Sequence, residues 1–267
     1  MEHNRTKNYI LPESEPVDFL IELGVQQKNG NINKSRYDKF KQINRYLEFV
    51  EDILPVFGEL ESIRIIDFGC GKSYLTFALY YYLCKKKQYK IEIIGLDLKK
   101  DVIDTCNRLK DKLQYNGLTF LQGDIKDYEE QGKVDMVVSL HACDTATDYA
   151  IEKAILWGAR VIMAVPCCQH ELFSQIESDI NQPMLKHGII KDKFTELLTN
   201  SLRGLKLEAA GYDVNMIEFT SLEHTAKNVM IKAVLLDKEN PAAKEKASQE
   251  YEALKKFYNV NPTIDML

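Results

Sequence analysis

The stretch that decides the fold is Ile63-Arg64-Ile65-Ile66-Asp67-Phe68-Gly69-Cys70-Gly71-Lys72-Ser73-Tyr74-Leu75. Its β-branched opening reads as a strand over 63–68, and the apolar periodicity from Ser73 onward reads as a helix over 73–84. Between them two glycines let the backbone turn sharply and approach a ligand before the helix begins. A strand, a glycine turn and a helix form the first unit of an α/β sheet, in which ligands sit beyond the carboxyl ends of the strands.

Working outward from this unit, strand-like and helical runs alternate. Strands are expected at 91–96, 118–122, 134–140 and 160–165, and helices at 100–115 and 145–157, which is the pattern of a parallel sheet covered on both faces. The last two strand-like runs, 212–220 and 229–236, are joined by only eight residues. A helical crossover needs a dozen or more, so these two runs should pair antiparallel. The expected fold is therefore a Rossmann-like, doubly wound, seven-stranded, mostly parallel sheet with a terminal antiparallel pair, preceded by an N-terminal helical extension. In that extension Tyr37, Phe40, Ile43, Leu47, Val50 and Ile53 recur every three or four residues, predicting an amphipathic helix over 35–54. The first 33 residues, with Pro12, Pro16 and Asn29-Gly30-Asn31, read as a loosely structured lead-in. Residues 1–58 are taken as the extension, 59–240 as the main domain and 241–267 as a helical tail.

With 267 residues, 45% hydrophobic and 28% charged, the chain has the balance of a globular protein with a sizeable core. No apolar run approaches the ~18 residues of a membrane span, and the opening residues lack the apolar segment of a signal peptide, so a cytoplasmic protein without a membrane partner is expected. Six cysteines, three of them Cys143, Cys167 and Cys168, read as reduced thiols rather than a disulfide scaffold. The net charge of −5 gives no general attraction to nucleic acid. Locally, however, Lys28, Lys34, Arg36, Lys39, Lys41 and Arg45 face the single acid Asp38 between Gln26 and Arg45, either as a phosphate-binding patch or as a solvated helix face.

Two further strand tips carry acids in register with the glycine turn. Gly95-Leu96-Asp97 places a carboxylate where it can accept both hydroxyls of a ribose, and Gly123-Asp124-Ile125 places an acid and an apolar residue where an adenine would lie. The candidate cofactor residues are Asp67, Gly69, Cys70, Gly71, Tyr74, Asp97, Leu98, Asp124 and Ile125. Gly71-Lys72-Ser73 is not a phosphate-binding P-loop, because Ile66 stands where the motif needs glycine. A dinucleotide fingerprint would want glycine at 74, where Tyr74 disfavours close pyrophosphate packing and a dehydrogenase with it. S-adenosylmethionine carries no phosphate and tolerates this change.

Polar residues also gather at the other strand ends. One run is Ser139-Leu140-His141-Ala142-Cys143-Asp144, another is Val165-Pro166-Cys167-Cys168-Gln169-His170-Glu171, and the link 221–228 opens on the same side if the sixth strand is parallel to the first five. His141, Asp144 and His170 are candidate bases or orienting groups, and Cys167 and Cys168 are candidate nucleophiles or simply small polarisable pocket walls. Zinc is the competing use of the histidines and cysteines. Adjacent cysteines are poor tetrahedral partners and no C-x-x-C pair is present, so no metal is expected.

The segments Tyr37 to Arg45, Asp67 to Leu75, Gly95 to Asp97, His141 to Asp148, Pro166 to Leu172 and His224 to Asn228 together resemble the class I S-adenosylmethionine-dependent methyltransferase domain shared by many bacterial and some eukaryotic methyltransferase-like proteins. The resemblance runs from about 35 to 236. More distantly the chain is similar to eukaryotic tRNA acceptor-stem 2′-O-methyltransferases, which carry comparable His-x-Cys and Cys-Cys-His segments. It departs from them in lacking cysteine-rich zinc modules and in placing Gln169 between Cys168 and His170. The resemblance implies S-adenosylmethionine held by Gly69, Gly71, Asp97 and Asp124, with His141, Cys143, Asp144, Cys167, Cys168 and His170 around the transferred methyl. Lys39, Gln42, His224, Lys227 and Asn228 are expected to meet the substrate. The expected function is methylation of RNA (tRNA or rRNA) through the basic 35–45 helix. Methylation of a small molecule or protein, and a binding module without turnover, are the alternatives.

Overall fold

The computed structural model describes residues 9–58, 60–130, 132–140, 142, 144–219 and 229–266. Seven strands, β1 (Ile63–Phe68), β2 (Ile91–Asp97), β3 (Leu118–Gln122), β4 (Met136–Ser139), β5 (Val161–Ala164), β6 (Tyr212–Glu218) and β7 (Val229–Leu235), form one sheet in the order β3-β2-β1-β4-β5-β7-β6. The helices are α1 (Asp18–Glu22), α2 (Tyr37–Phe57), α3 (Tyr74–Tyr80), α4 (Lys100–Leu113), α5 (Thr145–Leu156), α6 (Gln182–Leu185), α7 (Gly188–Ala210) and α8 (Pro241–Tyr258). Helix α3 continues into a π-helical turn over Tyr81–Lys86.

Strands β1 to β5 are mutually parallel, and β7 is antiparallel to both β5 and β6, as the short link requires. Strand β6 is therefore parallel to the first five, and the link from β6 to β7 starts and finishes at the carboxyl edge. That link holds His224, Lys227 and Asn228, which lie outside the described residues.

The alternation of side chains along each strand splits the core into two layers. Ile63, Ile65, Ile93, Phe120, Val138 and Met163 face α2, α3 and α4. Ile66, Phe68, Ile94, Val137, Ile162 and Ala164 face α5, α7 and α8. Because β2 lies on one side of β1 and β4 on the other, the chain reverses its direction of winding at β1, which opens a crevice at the tips of β1 and β4.

Two readings need correction. The segment read as a loose lead-in is part of the core: Leu11, Phe19, Leu20 and Val25 are completely buried, and the Phe19 ring lies 5.4 Å from Tyr81. Gln26 ties the segment together by accepting the Val17 N–H at 2.8 Å and donating to the Glu15 and Gly30 carbonyls at 2.8 and 2.7 Å. The second correction is α7, 23 residues long, which the strand-by-strand reading passed over. Phe194, Leu198, Leu202 and Leu205 carry its helical spacing, but buried Thr195, Thr199, Asn200 and Arg203 interrupt the apolar face.

Candidate functional site

The glycine turn is built by left-handed backbone. Gly69 and Gly71 have φ of 69° and 51°, where a side chain is strained. The Gly69 and Cys70 N–H groups both donate to the Leu96 carbonyl, at 2.8 and 3.1 Å, so the turn is tied to the tip of β2 beside Asp97. Gly95 makes the close approach possible, since a Cβ there would lie 2.6 Å from Phe120 Cδ1 and 3.1 Å from Cys70 Sγ. A Cβ on Gly71 would meet only the Gly69 carbonyl oxygen, at 3.9 Å, and would otherwise project into open space.

That space is a cavity of about 220 Å³ whose walls include Lys39, Asp67, Gly71, Tyr74, Thr76 and Leu140. Asp67 is 4% exposed and accepts a hydrogen bond from Thr76 Oγ1 at 2.5 Å. Burial pushes its pKa up to about 7, with the Asp97 charge adding to the effect and the Thr76 bond opposing it. Tyr46 on α2, fully buried, is likewise driven upward by burial and by Asp67. Burial pushes the Cys70 thiol up as well, so it lines the turn as a neutral group.

Asp97 spends one oxygen on the Gly71 N–H at 2.9 Å and the other on the Lys99 N–H at 3.0 Å. A carboxylate has about four acceptor positions, so two remain for a ribose diol. Beside it Leu98 is 65% exposed, an apolar face with no core to cover it. Asp124 accepts the Lys126 N–H at 3.0 Å, closing its own turn, while Ile125 packs partly onto the second core layer. Neither lines the cavity at the glycine turn. A larger hollow of about 470 Å³ lies between α8 and the β6–β7 pair, around Tyr212 and Leu235. That is the opposite edge of the sheet from the strand tips where such folds hold ligands.

At the β4 and β5 tips the structure brings two sequence-predicted segments together through Asp144. Its Oδ1 accepts the backbone N–H groups of His170 and Glu171, at 3.0 and 3.3 Å, and its own φ is 52°. Such a backbone costs energy in a non-glycine residue, and it is held from below. The Asp144 carbonyl accepts Arg203 Nη2 at 2.9 Å, and the same guanidinium grips Asp148 with Nε–Oδ1 2.8 Å and Nη2–Oδ2 2.7 Å. Arg203 and Asp148 side chains are 1% and 2% exposed. This planar fork suits arginine and not lysine.

His170 is exposed, Cys167 and Cys168 are half-buried without a disulfide, and Gln169 is fully buried with Nε2 donating to the Pro166 carbonyl at 3.2 Å. His141 and Cys143 lie outside the described residues. Among the described residues, no three His, Cys, Asp or Glu side chains converge as a metal-ligand set, and no helix is long and apolar enough to cross a membrane. On α2, Lys39 turns into the cavity, whereas Lys41 and Arg45 lean onto Asp38 and Glu48 at 3.4 and 2.6 Å. Sequence reasoning missed Arg203 and the use of Asp148. The signal was that Arg203 lies one helical turn from both Thr199 and Leu207 among the closely spaced leucines of 198–207.

Residues 38–175, just over half of the chain, match a protein-family profile described as a methyltransferase domain. The glutathione S-transferase C-terminal domain-containing protein of Bos taurus is 26% identical over 160 residues, covering 60% of this chain and 23% of that protein. The tRNA:m(4)X modification enzyme TRM13 of Vanderwaltozyma polyspora is 23% identical over 261 residues, covering 83% of this chain and 59% of that protein. The chain thus spans less than two thirds of either relative's length. Among solved structures, magnesium protoporphyrin IX methyltransferase of Synechocystis with bound S-adenosylmethionine aligns at a TM-score of 0.47 and 16% identity, covering 84% of this chain and 100% of that one.

Proposed function

The chain belongs to this methyltransferase-domain family, and on that premise we propose that it is an S-adenosylmethionine-dependent methyltransferase acting on RNA. The observation that carries the reading is the position of α2, which packs against α3 and so sets its basic N-terminal half at the border of the cavity at the glycine turn. Lys34, Arg36, Lys41 and Arg45 lie within about two helical turns of Lys39. The acids opposite Lys41 and Arg45 are exposed, and such pairs yield readily to a phosphate because they are worth little. The fungal relative is named a tRNA modification enzyme, which supports the same acceptor class.

The residues fit the cofactor. Asp97 has acceptor capacity for a ribose diol, Gly69 and Gly71 keep the backbone close and open, Asp67 at the cavity wall suits an ammonium group, and Leu98, Asp124 and Ile125 border the place for the base. When bound, S-adenosylmethionine supplies a methyl group activated on a sulfonium. The protein's share is to hold the acceptor in line with that methyl and to take up the proton the acceptor loses. His170 is the described rim residue suited to accept that proton, and His141 is the second candidate. Asp144 acts by fixing the His170–Glu171 backbone, and Cys167 and Cys168 wall the acceptor pocket. Lys227, Asn228 and His224 belong to the β6–β7 link, which begins and ends at this edge, and are proposed as acceptor contacts.

Two measurements test this. RNA affinity should fall linearly with salt on a log–log plot, by about 0.7 per phosphate contact on single strands, and neutralising Lys34, Arg36, Lys41 and Arg45 should flatten the slope. Mass spectrometry of RNA nucleosides from cells with and without the gene should reveal a missing methylated nucleoside. An unchanged profile together with salt-insensitive binding overturns the RNA reading.

A further inference from the structure

The basic run on α2 divides into two groups once its side chains are placed. Lys41 sits over the Tyr37 ring at 4.8 Å and reaches Asp38, and Arg45 sits over Phe49 at 4.3 Å and reaches Glu48, both along the helix itself. Lys39 also bonds along the helix but reaches beyond it, to α3 and the cavity. Its Nζ donates to Gln42 Oε1 at 2.7 Å and lies 5.3 Å from the centre of the Tyr74 ring, on the first turn of α3. Gln42 is 2% exposed, so the amide that receives the ammonium is itself held by the core, and the lysine is half-buried rather than extended into solvent. The cavity it reaches is the one whose wall also contains the Asp67 carboxyl and the Gly71 backbone.

A small cavity bounded by an ammonium on one wall and a carboxyl on another complements a zwitterion, an amino acid whose carboxylate and ammonium are separated by one carbon. A nucleic-acid phosphate matches the lysine but offers no cation to the Asp67 carboxyl on the same cavity wall, whereas a zwitterion supplies a partner for both. We infer that Lys39 is the counter-ion of the cofactor's α-carboxylate, with Gln42 and Tyr74 as the positioning residues that aim it. Lys39 is thereby removed from the RNA-facing set, and α2 becomes a wall of the cofactor site as well as its basic border. The inference rests on S-adenosylmethionine being the cofactor and adds the residue that reads its amino-acid end.

The test is calorimetric binding of two ligands to the full chain, S-adenosylhomocysteine and S-adenosyl-3-thiopropylamine, which differ only by the carboxylate. Wild-type protein should prefer the first by about 10- to 100-fold, the worth of a hydrogen-bonded charge pair. Lys39→Met should lose that preference, weakening S-adenosylhomocysteine by the same factor and leaving the amine ligand nearly unchanged, while Lys39→Arg restores most of it. Lys39→Gln, which keeps a polar end, serves as a second neutral variant and should behave like Lys39→Met. Equal weakening of both ligands would mean a merely structural role and overturns the inference. So does unchanged S-adenosylhomocysteine affinity accompanied by weaker RNA binding. Failure of wild-type protein to bind S-adenosylhomocysteine at all overturns the cofactor assignment, and the inference falls with it.

Discussion

Replacing Arg203 with methionine removes the strut that joins α7 to α5 and to the Asp144 backbone at the β4 tip, and its cost follows from three bonds. Two go to the Asp148 carboxylate and one to the Asp144 carbonyl, all between 2.7 and 2.9 Å. Breaking one partner of a buried pair costs about 3–5 kcal/mol because the other charge is stranded, and Asp148 is 2% exposed with little access to water. Against a total stability of about 5–15 kcal/mol, Arg203→Met should lower the urea midpoint strongly at constant slope, read by far-UV circular dichroism. The companion Arg203→Met with Asp148→Leu removes both charges. In the intact protein Arg203 Nη1 has no hydrogen-bond partner, so burying the guanidinium is incompletely compensated, and the apolar pair should recover most of the loss. That double variant still lacks the bond to the Asp144 carbonyl. It should therefore bind S-adenosylhomocysteine normally yet transfer methyl groups about 10- to 100-fold more slowly, as expected for small misplacements at a reacting centre. A single variant within about 1 kcal/mol of wild type, or a double variant no more stable than the single, would refute the reasoning.

Three other outcomes are expected. Gly95→Ala drives a Cβ to 2.6 Å from Phe120, whose ring is packed 5.6 Å from Phe77 and cannot swing away; it should cost about 1–3 kcal/mol and weaken S-adenosylhomocysteine binding, measured by thermal shift with and without ligand. Asp67 keeps its proton to about pH 7 in the fold, whereas an unfolded aspartate releases it near pH 4. The folded chain thus binds more protons between those values, so ligand-free stability should fall as pH rises through about 7, and Asp67→Asn should flatten that slope in pH-dependent melting curves. Phe19→Ala should cost about 3–5 kcal/mol by chemical denaturation, because Phe19 is fully buried; a loss below about 1 kcal/mol would mean that the segment before α2 is peripheral.

The strands were legible because their signals are local. Ile63–Phe68 and Leu118–Gln122 have the bounds that β-branched alternation and flanking turns predict, and the antiparallel end of the sheet follows from the length of one link. The acid at the tip of β2 was legible for the same reason, since Asp97 needs only to end a strand beside a glycine turn. Helix α7 was not, because buried polar residues blur its apolar face. The lead-in misled for the opposite reason: Leu11, Phe19 and Leu20 are few among polar neighbours, and only their contact with α2 and the turn after α3 shows what they bury.

What the sequence determined by itself is whatever depends on neighbours along the chain: strand and helix periods, the positive-φ turn at Gly69 and Gly71, and the carboxylate after β2. What tertiary structure decided depends on residues far apart in the chain. Arg203 meets Asp148 across 55 positions, Lys39 meets Tyr74 across two elements, and Asp144 serves as an anchor for backbone rather than an isolated acid. Charge pairing and burial act over a few ångströms of space whatever the distance along the chain, so no local pattern could have assigned those roles.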